Sequence, residues 1–245
     1  MDRRGRTGRS MAVLLIAQNF VRENRWPILI LSVWIVFTTL ITTGFGQARV
    51  SLYDAIFFVQ QQAMYICGFS AFLAAYAIHN ERKSRRILLV LSKAVSRGQY
   101  LLAILIAFLT MAAVYAVLFG VCCTWLASRA GLPTGGVWGV ALLVIAGSAI
   151  AAAVSIFFST FLNPYLAIAL TATMFGAPGL LHPERQAWLR LFPGLPVLLD
   201  ILHFRFRAGW TMDWGAVMIT LLETVLVWRL AVLVFAYRDI AVPVE

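Results

Sequence analysis

Six stretches of this sequence are long, apolar and nearly free of charge, and no other feature constrains the fold as strongly. They run over residues 27–44, 55–79, 101–127, 137–162, 165–181 and 214–237. A helix needs about 20 mostly apolar residues to cross the hydrocarbon of a bilayer, and inside lipid it satisfies its own backbone hydrogen bonds. The 245 residues are 62% hydrophobic and 12% charged, whereas ordinary globular domains are roughly half apolar and a quarter charged. A soluble core of this length has no use for that surplus, and lipid does. The expected fold is an all-α polytopic membrane protein with six spans. The first and fifth stretches are short, so those spans are expected to be tilted little or broken. Asn163-Pro164 is the only break between the fourth and fifth. Proline disfavours helix at the residue before it, which predicts a tight hairpin there.

The formal charge is +10, from 20 basic and 10 acidic residues, and only two of the basic residues are lysine. In a soluble chain this balance would suggest nucleic acid. Here the basic residues flank apolar runs, so topology and anionic lipid account for them and no nucleic acid is expected. Six lie in the N-terminal segment, six in the loop 80–100 and one, Arg238, in the C-terminal tail. With six spans these thirteen fall on one side, and Arg49, Arg129, Arg185, Arg190, Arg205 and Arg207 fall on the other. The positive-inside rule then places both termini in the cytoplasm, in an inner or plasma membrane.

Residues 10–26 have the pattern of an amphipathic helix lying in the membrane interface. Val13, Ile16, Ala17, Phe20 and Val21 share one side, and Gln18, Arg22 and Arg25 share the other. The apolar run Met11 to Ala17 is too short for a signal peptide, lacks a small-residue cleavage site and is followed by Arg22, Glu23 and Arg25. It therefore reads as retained. Segment 182–213 mixes apolar residues with Pro193, Gly194 and Pro196. Two short helices dipping into the outer face would fit it, provided protein or water covers the irregular backbone. The fourth span is rich in small residues (Ala146, Gly147, Ser148, Ala149, Ala151, Ala152, Ala153, Ser155, Ser159), which let helices approach closely in lipid. Gly135 and Gly139 form a GxxxG at its entrance, open to intrachain packing or to a dimer seam.

Chemistry is sparse. No P-loop is present, so ATP hydrolysis is not expected from these residues alone. There is no GxSxG and no HExxH. His79, His182 and His203 lie in separate segments, and a shared site of His182 and His203 competes with simple interfacial anchoring. Cys67, Cys122 and Cys123 sit inside apolar stretches with no metal-ligand spacing. Polar groups within spans are costly and become functional candidates by default. They are Gln60, Gln61 and Tyr65 in the second span, beside Gln62, and Glu223 in the sixth. Glu223 and Arg229 are about 240° apart on a helix and should not pair. Glu223 is open to two roles, lining a polar path or meeting an arginine from another helix.

The most informative stretch is the loop 80–100. Glu81, Arg82, Lys83, Arg85 and Arg86 open it, an apolar run with Leu88 and Leu91 follows, and Ser92-Lys93-Ala-Val-Ser96-Arg97 closes it. As chemistry alone it reads as a positive-inside loop with a surface helix, or as a docking helix whose charges orient a partner and whose apolar strip fills a groove. In sequence it resembles the loop between spans two and three of the type-2 ABC exporter permeases, which ends in Ser-Lys-Pro-Val-Ser-Arg. Glu81, Leu88, Leu89, Leu91, Ser92, Lys93, Val95, Ser96 and Arg97 match; Arg85, Arg86 and Ala94 stand where Gly, Thr and Pro are usual. Arg22-x-x-Arg25-Trp26 is similar to the end of that family's N-terminal amphipathic elbow helix, and Leu191-Phe-Pro-Gly-Leu-Pro196 through Asp200 is similar to its re-entrant segment before the last span.

The resemblance implies a division of labour. Two permease chains, identical or related, pair with two copies of a separate cytoplasmic P-loop ATPase, which holds the ATP and magnesium. The loop residues dock in a cleft of the ATPase and turn its closure into movement of the spans, and substrate leaves between the permeases among membrane lipids. No cofactor is expected in this chain. The competing classes are an ion- or proton-driven transporter depending on Glu223, and a membrane enzyme or assembly subunit without an ATPase partner.

Overall fold

The structure is a computed structural model that describes residues 3–44, 50–83, 96–180, 192–207 and 209–237. Among the described residues the chain forms eight helices and no strand. These are α1 (Arg3–Glu23), α2 (Arg25–Gly44), α3 (Leu52–Lys83), α4 (Arg97–Arg129), α5 (Gly135–Ser159), α6 (Pro164–Leu180), α7 (Leu195–Leu202) and α8 (Trp214–Tyr237). Five stretches of helix are long and apolar enough to cross a membrane: Arg25–Thr43, Leu52–His79, Arg97–Arg129, Gly135–Ser159 and Trp214–Tyr237. This is a helical, multi-pass membrane protein. The apolar part of α6, Pro164–Gly176, is shorter than those five.

Local chemistry sets the helix boundaries. Ser96 opens α4 with a capping box: its hydroxyl accepts the Gln99 N–H at 3.2 Å, and Gln99 Oε1 accepts the Ser96 N–H at 3.0 Å. At the other end Gly131 takes φ +69°. The Leu132 N–H then reaches the Ala127 carbonyl at 2.9 Å, closing a Schellman turn. Asn163 caps α6 through Oδ1, which accepts the Leu166 N–H at 2.8 Å, and Pro164 takes the first helical position. The predicted hairpin between the fourth and fifth stretches is therefore present. The helix expected over 10–26 runs instead from Arg3 to Glu23, and the turn at Asn24 separates it from α2.

The core is built around α5, in which 83% of an 18-residue apolar window is buried. It packs against α3, α4, α6, α7 and α8. All nine of its small residues named above are buried. A Cβ on Gly147 would lie 3.0 Å from Cys67 Sγ on α3, so the two backbones approach closely there. Polar contacts join the same seam. Ser155 Oγ donates to the Ala71 carbonyl at 2.7 Å, and Ser148 Oγ lies 3.8 Å from Cys67 Sγ. In lipid, close packing and such bonds hold helices together because apolar burial offers little gain there.

Of the GxxxG pair, Gly139 packs within the chain. A Cβ on Gly139 would meet Trp210 at 2.8 Å, and one on Gly136 would meet Trp210 and Phe204 at 3.0 Å. Phe204 and Trp210 themselves meet edge to face at 5.1 Å. Gly135 has open space where a Cβ would stand. At the periphery, α1 buries Val13, Ala17 and Phe20 and exposes Met11, Leu14 and Leu15. Phe20 meets Phe108 of α4 edge to face at 5.4 Å. Apolar 18-residue windows of α2 and α8 are only 17% and 22% buried, and Leu29, Ile30, Trp34, Trp214 and Leu222 among others face outward.

Candidate functional site

Each of the three consecutive glutamines of α3 has a different partner. Successive helical residues point about 100° apart, so three neighbours can be reached from one turn. Gln60 Nε2 donates to the Leu202 carbonyl at 2.6 Å. Gln61 Nε2 donates to Tyr65 Oη at 2.8 Å on the exposed face of α3. Gln62 is buried and donates to Thr38 Oγ1 of α2 at 2.8 Å.

Glu223 of α8 accepts a hydrogen bond through Oε2 from the Gly194 N–H at 2.7 Å. Gly194 precedes α7 and has φ +79°, a region that suits glycine. It is also tightly enclosed, since a Cβ there would lie 2.7 Å from Ile150 Cγ2. The carboxylate thus holds a backbone N–H that has no partner within its own helix. Arg229 lies over Trp228, with its guanidinium carbon 5.3 Å from the ring centre.

These contacts converge on α7. Its start is held by Glu223 and the end of its last turn by Gln60. Asp200 Oδ2 accepts the Asp213 N–H at 2.9 Å, joining α7 to the entrance of α8. Gln60 and Glu223 grip opposite ends of one short helix, and Gln61 pairs with Tyr65 elsewhere. Of segment 182–213, α7 is one short helix; residues 182–191 and 208 lie outside the described residues.

The loop candidates divide in the same way. Glu81, Arg82 and Lys83 fall in the last turn of α3, whereas Arg85, Arg86, Leu88, Leu91, Ser92 and Lys93 lie outside the described residues. Ser96 is the cap of α4. Arg97 Nη1 donates to the carbonyls of Phe235 at 2.9 Å and Ala236 at 2.8 Å. Its guanidinium carbon also lies 5.9 Å from the centre of the Phe235 ring. The last carbonyls of a helix lack intrahelical donors and carry partial negative charge, so Arg97 caps the end of α8. At about 1.5 Å per residue, α3 and α4 are about 48 and 50 Å long, well beyond the roughly 30 Å of hydrocarbon.

Two clefts flank α3. One, of about 440 Å³, lies against α2 and includes Leu31, Trp34, Tyr65 and Phe72. The other, of about 210 Å³, lies among α3, α5, α6 and α7 and includes Cys67, Thr171, Phe175 and Leu198. Met64 and Gly68 belong to both, and open space surrounds the place where a Gly68 Cβ would stand. Among the described residues no group of three or more His, Cys, Asp or Glu side chains could hold a metal. His79 and His203 are exposed at the ends of different helices, and His182 lies outside the described residues.

Sequence reasoning missed the role of Arg97 toward α8 and that of Glu223 toward Gly194. The dipeptide Pro193-Gly194 does signal a turn, but nothing local indicates which side chain meets it. Comparison with known proteins finds no family model that matches this chain and no matching curated relative.

Proposed function

We propose that this chain is the membrane-spanning permease subunit of an ATP-driven exporter of the type-2 ABC class, working with a separate cytoplasmic P-loop ATPase. In this reading α6 is the fifth of six spans, α1 is the elbow helix on the cytoplasmic surface, α7 belongs to an external re-entrant segment, and both termini are cytoplasmic. The observation that carries the proposal is the motif Ser92-Lys93-Ala-Val-Ser96-Arg97 between two helices long enough to hold it outside the bilayer. The capping box at Ser96 and the Arg97 contact with α8 give that motif a firm base in the bundle. The exposed apolar face of α3, between its two clefts, suits pairing with a second permease and passage of substrate between them. Glu223 is engaged by a backbone N–H, which weighs against an ion-driven carrier built on it.

The test is charge reversal of Arg85 and Arg86 to Glu in the full chain, purified from native membranes in mild detergent. Arg97 is left intact, because its loss would also uncap α8. The wild type should bring a P-loop ATPase with it, and the reversed variant should bring at least tenfold less. A variant that retains the ATPase at the wild-type level would move docking away from this loop.

A further inference from the structure

The described residues place α8 between the two polar attachments found above. At its C-terminal end Arg97 grips the carbonyls of Phe235 and Ala236 from the start of α4. Twelve residues earlier, about 18 Å along the helix, Glu223 holds the Gly194 N–H at the start of α7. Between these points α8 packs along α5 and also touches α7 and α4. Its buried residues, Ala216, Val217, Thr220, Thr224, Ala231 and Phe235, recur at three- and four-residue spacing in one narrow stripe. Val227, Trp228 and Val232 are partly buried against the core, and Leu221, Leu222, Leu226, Leu230 and Leu233 face outward. The stripe sets how α8 lies along α5, and Arg97, Glu223 and the Asp200–Asp213 bond tie it to α4 and α7.

We propose that α8 links the start of α4 to α7 as a rigid rod, with Arg97 and Glu223 as its positioning residues. Displacement of the α4 start draws on the Phe235 and Ala236 carbonyls, the helix moves as a unit, and Glu223 carries the Gly194 N–H with it. Gln60 anchors the other end of α7 to α3, so the short helix pivots about Leu202. This rests on the permease reading only for the source of the displacement, an ATPase at the preceding loop. The mechanical link itself is a property of the chain.

The experiment is amide hydrogen exchange on the full chain in lipid nanodiscs, comparing peptides across α7 with peptides across the centre of α5. Glu223→Leu should speed exchange in α7 at least fivefold and leave α5 at the wild-type rate. Glu223→Gln, whose amide oxygen still accepts, should behave as wild type. Arg97→Gln, on the opposite side of the bundle from α7, should also speed α7 at least fivefold with α5 unchanged. The double variant should be no faster than the faster single one, as expected for two links in series. Wild-type exchange of α7 in Arg97→Gln overturns the proposal, and so does a parallel rise in α5, which would mean general loosening. If Arg97→Gln does not fold, Arg97→Lys keeps the charge without the planar fork and should raise α7 exchange about twofold; no rise overturns the link. No ATPase enters these measurements, so they can fail while the ATPase co-purifies, and succeed while it does not.

Discussion

Helices α5 and α8 are nearly the same length and both are apolar enough to span a membrane, yet an 18-residue apolar window is 83% buried in one and 22% in the other. Apolarity assigns both to the membrane and cannot rank them within it. Side-chain size makes the difference. Across its middle α5 carries glycine, alanine and serine, so neighbouring backbones come close and serine hydroxyls bond across the seam. Helix α8 carries leucine, valine and tryptophan outward and keeps small residues for one stripe. The centre is thus held by fit on nearly every side, and α8 by one stripe against α5 with polar contacts added at Arg97 and Glu223.

This contrast is open to direct attack. The largest effect is expected from Gly147→Leu, which would drive a side chain into Cys67 and Val197. Overpacking of this kind costs about 3 kcal/mol or more. The variant should lose most of its monodisperse fraction in detergent, as read by size-exclusion chromatography. A smaller loss is expected from Trp210→Ala, which empties the seat on Gly136 and Gly139. The half-buried ring should be worth about 3 kcal/mol, read as a fall in the thermal unfolding midpoint. The smallest is Leu222→Ala on the outward face of α8, where the side chain is 61% exposed. Stability there should change by no more than about 0.5 kcal/mol. If Leu222→Ala matched Gly147→Leu, the division between a fitted centre and a lipid-facing rim would fail.

Much of the fold was legible in the sequence because the relevant signals are local. The last span, expected over 214–237, forms as Trp214–Tyr237. Ser96, Asn163 and Asp213 stand where helices begin, and each accepts a backbone N–H there. The early start of α1 was not legible, since a run with Arg3, Arg4, Arg6 and Arg9 reads as a charged tail. Arginine is nonetheless a good helix former. The candidate site was less legible, because its contacts join residues far apart in sequence. Gln60 meets Leu202, Glu223 meets Gly194 and Arg97 meets Phe235. Periodicity shows which residues share a face of one helix, not which helix that face meets. Glu223 stood out as a buried cost, but an arginine or an aqueous path was the expected compensation, and a backbone N–H freed by a left-handed glycine supplies it.

The central claim is that this bundle is driven by a separate ATPase. The most direct measurement is purification of the wild-type chain from its native membrane, with mass spectrometry of the eluate and an assay of ATP hydrolysis. The account predicts a stoichiometric P-loop ATPase, with hydrolysis that disappears when the Walker lysine of that partner is replaced. An eluate that contains this chain as a stable, monodisperse species with no P-loop ATPase and no hydrolysis would contradict it.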